Sequence, residues 1–153
     1  MAKKPARANP ETGIMEWRDE FCTGIEAIDE QHQRLFALVD ELKLALQSED
    51  CSSIYQFGLN LLSSYALEHF GLEETCMHVH KCPAAQNNQL AHAQFVQYVT
   101  RFQQDFQNDG FSHPVASELV KSLEHWLVNH ICRIDVQLRV CPTVLKDLPR
   151  ASL

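Results

Sequence analysis

The 153-residue chain has no apolar run near the roughly 20 residues that a membrane-spanning helix needs. It has no excess of positive charge either. A net charge of −7 argues against sequence-independent binding to nucleic acid or anionic lipid. The basic residues near the start, in Met1-Ala2-Lys3-Lys4-Pro5-Ala6-Arg7, are followed by no apolar core. They are expected to form a solvated tail, not a secretory signal, and the chain is expected in the cytoplasm. Of the six cysteines, at 22, 51, 76, 82, 132 and 141, none forms Cys-x-x-Cys. A structural zinc site or a thioredoxin-like motif is therefore not indicated, and the thiols are expected to be reduced. The chain also lacks strand alternation, internal repeats, low-complexity tracts and any sign of a second domain.

What is present is helical periodicity. After a tail at 1–13, the stretch from Ile14 to Ile28 carries Trp17 and Phe21 without a sustained period. It is expected to be an extended arm whose aromatics plug against the domain. Asp29 is a candidate N-cap for a helix to about residue 47, with Leu35, Leu38, Val39, Leu42 and Leu46 inward. Asp50 and Ser52-Ser53 open a second helix. Phe57, Leu61, Leu62, Tyr65, His69, Glu73 and Cys76 mark its stripe, and Pro83 the turn after it. A third runs from about Ala84 to Phe106, with His92, Phe95, Val99 and Phe102 buried, and stops at Asn108-Asp109-Gly110. Ser112 and Pro114 open the fourth, whose inner side carries Val115, Leu119, Leu123, Trp126, Leu127, His130 and Ile134. Four helices of roughly 20–30 residues with short connections predict an all-α, antiparallel up-down-up-down bundle over 14–140, with a tail at 141–153.

The inward positions hold residues that are poor fillers of a core. His69 and Glu73 are four apart and share one helix face. The first helix adds His32, the third His92, and the fourth His130 and Asp135. Burying such groups unpaired is costly, and a divalent transition metal supplies the missing partner. Each imidazole can bind one metal, while Glu73 and Asp135 can bridge two with their paired oxygens. Four histidines and two carboxylates suit two iron ions better than calcium or magnesium. His130 and Asp135 are expected about 140° apart around one helix, so that His130 caps one metal and Asp135 reaches between both.

Several well-spaced motifs resemble the hemerythrins and bacterial hemerythrin-like proteins. They are Trp17 with Gly24-Ile25-Glu26-Ala27-Ile28-Asp29-Glu30-Gln31-His32, and His69-Phe70 with Glu73-Glu74 and Met77. Pro83, His92 and Phe95 follow, then Trp126-Leu127, His130-Ile131 and Asp135. The resemblance covers about residues 14–140. It implies a non-haem di-iron centre that binds O2 directly, or a related ligand such as NO, for oxygen storage, delivery or sensing. It implies His32 and His69 on the iron with the open position, and Glu73 and Asp135 as bridges. Phe70, Trp126 and Ile131 are expected to line an apolar ligand pocket near that iron.

The chain departs from the family at one place. The third helix usually offers His-x-x-x-His, and here the first of these positions is Asn88. The second iron would keep His92 and His130 but lack a third imidazole. Asn88 either binds loosely or holds a water, and Cys76 or His80 is an alternative donor. Cys76, His78, His80 and Cys82 match no strong separate metal site. An under-ligated iron opens an alternative reading as a peroxidase- or oxidase-like enzyme. Another is a bundle with altered metal content that serves as an interaction module.

Overall fold

The computed structural model describes residues 13–141. The two tails read from the sequence lie outside these residues, apart from Gly13 and Cys141. Four helices run antiparallel: α1 at Glu26–Ala45, α2 at Cys51–Val79, α3 at Ala85–Asp109 and α4 at His113–Arg133. α1 packs against α2 and α4, and α2 packs against α3. The all-α bundle expected from the periodicity is present, with no strand among the described residues.

The helix ends follow local chemistry. α4 starts behind Ser112 with Pro114 in its first turn, where a missing N–H costs nothing. α3 stops at Gly110, whose φ of 82° would strain any residue with a Cβ. α1 starts at Glu26, three residues before the expected N-cap. Asp29 lies inside the helix and folds back over the preceding loop. Its carboxylate accepts from Thr23 N at 2.7 Å and Thr23 Oγ1 at 2.8 Å. The positive φ of Gly24 lets the chain turn there. The acid therefore fixes the entry to α1 and also favours the positive end of the helix dipole.

The arm before α1 is not fully extended, since Asp19–Phe21 forms a short 3-10 turn. Its aromatics do plug the domain: Trp17 and Phe21 join the main core beside Phe36. On α2 the buried residues are Tyr55, Leu59, Leu62, Ala66, His69, Phe70 and Glu73. Phe57, read from the sequence as inward, is 71% exposed, and Leu61 is also exposed. Val115 on α4 is likewise exposed.

The cysteine reading needs a correction. Cys82 and Cys141 form a disulfide, bridging a Cα–Cα distance of 5.9 Å. The turn after α2 and the segment that follows α4 meet at one end of the bundle. The other four cysteines are free thiols.

Two apolar clusters fill the interior. The larger extends along the bundle and includes Leu35, Phe36, Phe70, Phe95, Leu127 and Ile131. The smaller closes one end with Ile25, Ile28, Met77, Ala84 and Leu138. His32 lies between Ile28 and Leu35 in sequence, Glu73 between Phe70 and Met77, and Asp135 between Ile131 and Leu138. One helical turn separates such neighbours, so the polar donors form a layer between two dry ones.

Candidate metal centre

That layer brings together all six residues the sequence singled out as metal ligands. His32, His69, Glu73, His92, His130 and Asp135 are each at most 5% exposed. α1 supplies His32, α2 supplies His69 and Glu73, α3 supplies His92, and α4 supplies His130. Asp135 is not on α4, as the sequence reading had it. The helix ends at Arg133, and Asp135 begins a 3-10 segment, Asp135–Val140. This tighter turn brings its Oδ1 within 3.0 Å of His130 Nε2. Arg139 holds the segment in place by donating to the carbonyls of Asp19 and Cys22 on the arm.

Each carboxylate reaches histidines of two sets. Glu73 Oε1 is 3.5 Å from His32 Nε2, and its Oε2 is 3.3 Å from His92 Nε2. Asp135 Oδ2 is 3.3 Å from His32 Nε2, and its Oδ1 faces His130. Two groups of four buried donors result: His32, His69, Glu73 and Asp135, and Glu73, His92, His130 and Asp135. The carboxylates are common to both.

The tautomers show what such a layer fits. His69 Nδ1 is 2.9 Å from Gln31 Oε1, and His92 Nδ1 is 2.9 Å from Glu74 Oε1. Both partners are acceptors, so each Nδ1 carries the hydrogen and each Nε2 presents a lone pair. Those lone pairs point at Glu73 Oε2, which is 3.8 Å from His69 Nε2. With these tautomers neither Nε2 donates to Glu73, and His92 Nε2 also lies 3.0 Å from His130 Nε2, from which it can accept. Glu73 Oε1, both Asp135 oxygens and both nitrogens of His32 are buried without a hydrogen-bond partner. Cations fit these donors, which otherwise repel one another.

The charge balance without metal gives the same picture. Burial opposes a charge on His32, but Asp135 and Glu73 more than offset it and raise its pKa to about 9. Burial lowers His69 to about 4. Glu73 is held well below its usual range: burial works against this, and the surrounding imidazoles of His32, His92 and His69 outweigh it. Asp135 is lowered too, because His130 and His32 outweigh burial and the repulsion of Glu73.

Aromatic rings pack around the layer. Phe70 stacks on His92 at 3.8 Å between centroids, and Trp126 stacks on His130 at 4.4 Å. Both rings lie against the histidines of the second group, while Phe70 also reaches within 5.8 Å of His69. Phe70 and Trp126 line an apolar cavity of about 10 Å³ with Leu35, Val39, Leu62, Phe95 and others; Ile131 is not among its lining residues. Gln31 and Glu74 fall within the sequence motifs, but nothing in those motifs announces their contacts with His69 and His92. Adjacency to His32 and Glu73 is the only signal the sequence offers for them. Cys76 and His80 join neither donor group.

The hemerythrin HHE cation binding domain matches residues 23–138. The chain belongs to the hemerythrin family. Among relatives, the bacteriohemerythrin of Pseudomonas aeruginosa is 32% identical over 119 residues, covering 78% of this chain and 75% of that protein. The myohemerythrin of Theromyzon tessulatum is 27% identical over 124 residues, covering 81% and 90%. A crystal structure of wild-type hemerythrin superposes with a TM-score of 0.77 at 26% identity, covering 84% of this chain and 97% of that one. As a member of the hemerythrin family the chain is a non-haem di-iron protein that binds O2. Among the described residues no helix is long and apolar enough to cross a membrane.

Proposed function

We propose that His32 and His69 hold one iron, that His92 and His130 hold the other, and that Glu73 and Asp135 bridge them. The observation that carries this reading is the pair of inward lone pairs. Gln31 and Glu74 fix His69 and His92 so that both Nε2 atoms face the oxygens of Glu73. Iron held by these residues would supply the redox chemistry for reversible O2 binding.

The chain's own residues set the conditions for that binding. Glu73 and Asp135 bring two negative charges to the centre of the layer and offset the charge of two cations. Gln31 and Glu74 hold the rings in register, so that the donors need not reorganise. Phe70 and Trp126 shield the layer from water and line an apolar cavity of about 10 Å³, the least space that one water-sized molecule needs. That cavity suits O2, and NO is similar enough in size and polarity to share it. Slow exchange of protons and water favours reversible uptake over turnover, which supports storage, delivery or sensing. We place the protein in the cytoplasm, where the four free thiols would stay reduced.

Iron content and an optical spectrum test the reading, on protein purified without added metal. The expected result is two irons per chain and a spectrum that changes under O2 and returns when O2 is removed. A spectrum that decays while reductant is consumed would favour the peroxidase or oxidase reading. Zinc alone, or no metal, would leave an interaction module and overturn the proposal.

A further inference from the structure

Asn88 occupies the place on α3, one turn before His92, where the family resemblance puts a histidine. It is fully buried. Its amide nitrogen donates to Glu73 Oε2 at 3.1 Å and to Met77 Sδ at 3.3 Å. A primary amide has two N–H groups, and these contacts use both. The reverse orientation would set its carbonyl oxygen against a carboxylate oxygen, acceptor against acceptor. The nitrogen is therefore the atom that faces Glu73. An amide nitrogen has no free lone pair to give a metal. Asn88 Oδ1, the atom that could ligate, is turned from Glu73 and is buried without a partner.

No other side chain takes the missing position. Among the described residues, the donor group on this side consists of Glu73, His92, His130 and Asp135 alone. It has as many protein donors as the group on the other side, where the resemblance places the open position. Iron short of protein donors keeps positions for exchangeable ligands.

Resting on the ligand assignment above, we infer that Asn88 leaves the His92/His130 iron with an exchangeable position of its own. The centre then takes two small ligands side by side, one per iron. The ligand class is small and oxygen- or nitrogen-donating. Water or hydroxide would fill this position at rest. An inorganic anion such as azide would replace it.

Counting azide tests this. Oxidised, iron-loaded protein is titrated with sodium azide and followed by absorption, with iron measured on the same sample. Two azides per chain are expected for the wild type, one for Asn88→His and two for Asn88→Ala. In competition with a chelator the wild type is expected to release its irons in two phases about tenfold apart in rate. Asn88→His is expected to release both in the slow phase. One azide on the wild type and two on Asn88→Ala would make the asparagine itself a ligand and overturn the inference. So would equal azide counts for the wild type and a folded, two-iron Asn88→His. If Asn88→His does not fold, the wild-type count decides alone, two supporting the inference and one overturning it. Wild-type protein with fewer than two irons would instead overturn the ligand assignment, and the inference with it.

Discussion

The two ends of this bundle are made by the same four helices and filled by opposite kinds of residue. At one end α1, α2, α3 and α4 turn His32, His69, His92 and His130 inward, with Glu73 and Asp135 among them. At the other end Tyr55, Phe102, Phe106 and Phe111 line an open cavity of about 250 Å³, with Asp105 and Asp109 also on its wall. The far end is held by ring contacts such as Tyr55–Phe111 at 5.7 Å, and by His113 Nε2 against the carbonyl of Leu46. Its order needs nothing from outside. The near end collects acceptors that face one another, so its order depends on what binds there. Helical period narrows which positions can share the inward face, while residue type decides whether they make a core or a cluster able to hold a metal.

The sharpest way to break that division is to remove a shared carboxylate. Glu73→Ala takes oxygens away from both sides of the layer at once, and loss of most of the iron is expected. Glu74 cannot stand in, because it is rotated by about 100° on the helix and is engaged with His92 Nδ1. Iron analysis on the purified variant checks this. Two irons per chain in Glu73→Ala would put the centre elsewhere.

A cut toward the far end should have the complementary effect. Leu119 is fully buried in the main core. Leu119→Ala is expected to cost about 2–5 kcal/mol of stability while the folded protein keeps its full iron. Denaturant unfolding with parallel iron analysis tells the two apart. Iron falling in step with stability would show that the ends are not separate.

Stripping the metal should expose the electrostatics of the near end. His32 is raised from 6.5 to about 9, so in metal-free protein its contribution is complete below 6.5 and fades as pH rises toward 9. His69 is lowered from 6.5 to about 4, so its contribution is complete above 6.5 and fades as pH falls toward 4. The metal-free protein should be most stable near pH 6.5, and iron should flatten this peak. Thermal melts from pH 4 to 9, with and without iron, measure it. A peak of the same height in both forms would detach these histidines from the metal.

How much of this the sequence shows differs between the two ends. The helices were legible because leucines and aromatics recur at helical spacing and Pro114 and Gly110 mark two ends. The gathering of His32, His69, Glu73, His92, His130 and Asp135 was legible because histidines and acids sit on otherwise apolar stripes. Asp135 was misplaced because nothing in Arg133-Ile134-Asp135 announces that α4 gives way to a 3-10 turn. Phe57 and Leu61 were read inward because they keep a helical period, yet the stripe that faces the bundle runs through Tyr55, Leu59 and Leu62. The Cys82–Cys141 pairing spans 59 residues, and only the folded bundle brings its ends together. The roles of Gln31 and Glu74 depend on which ring nitrogen points where, which spacing does not encode.

The smallest expected effect lies at the boundary between the two regions. Trp126 stacks on His130 and also forms a wall of the dry cavity beside the layer. It donates nothing to the ligand set, so Trp126→Ala should leave iron content unchanged. The cavity it closes, about 10 Å³, is barely the space that one water needs. Removing the indole would let water and protons approach the ligand side of His92 and His130. The oxygen-loaded protein should then decay in air several-fold faster, a change on the order of 1 kcal/mol in the barrier. Trp126→Phe keeps an apolar ring there and should restore most of the lifetime. Following the absorption of the three proteins under O2, normalised to iron, makes the comparison. If all three decay alike with full iron, the shielding comes from Phe70 and the aliphatic wall of Leu35, Val39 and Leu62, and Trp126 serves only to pack His130.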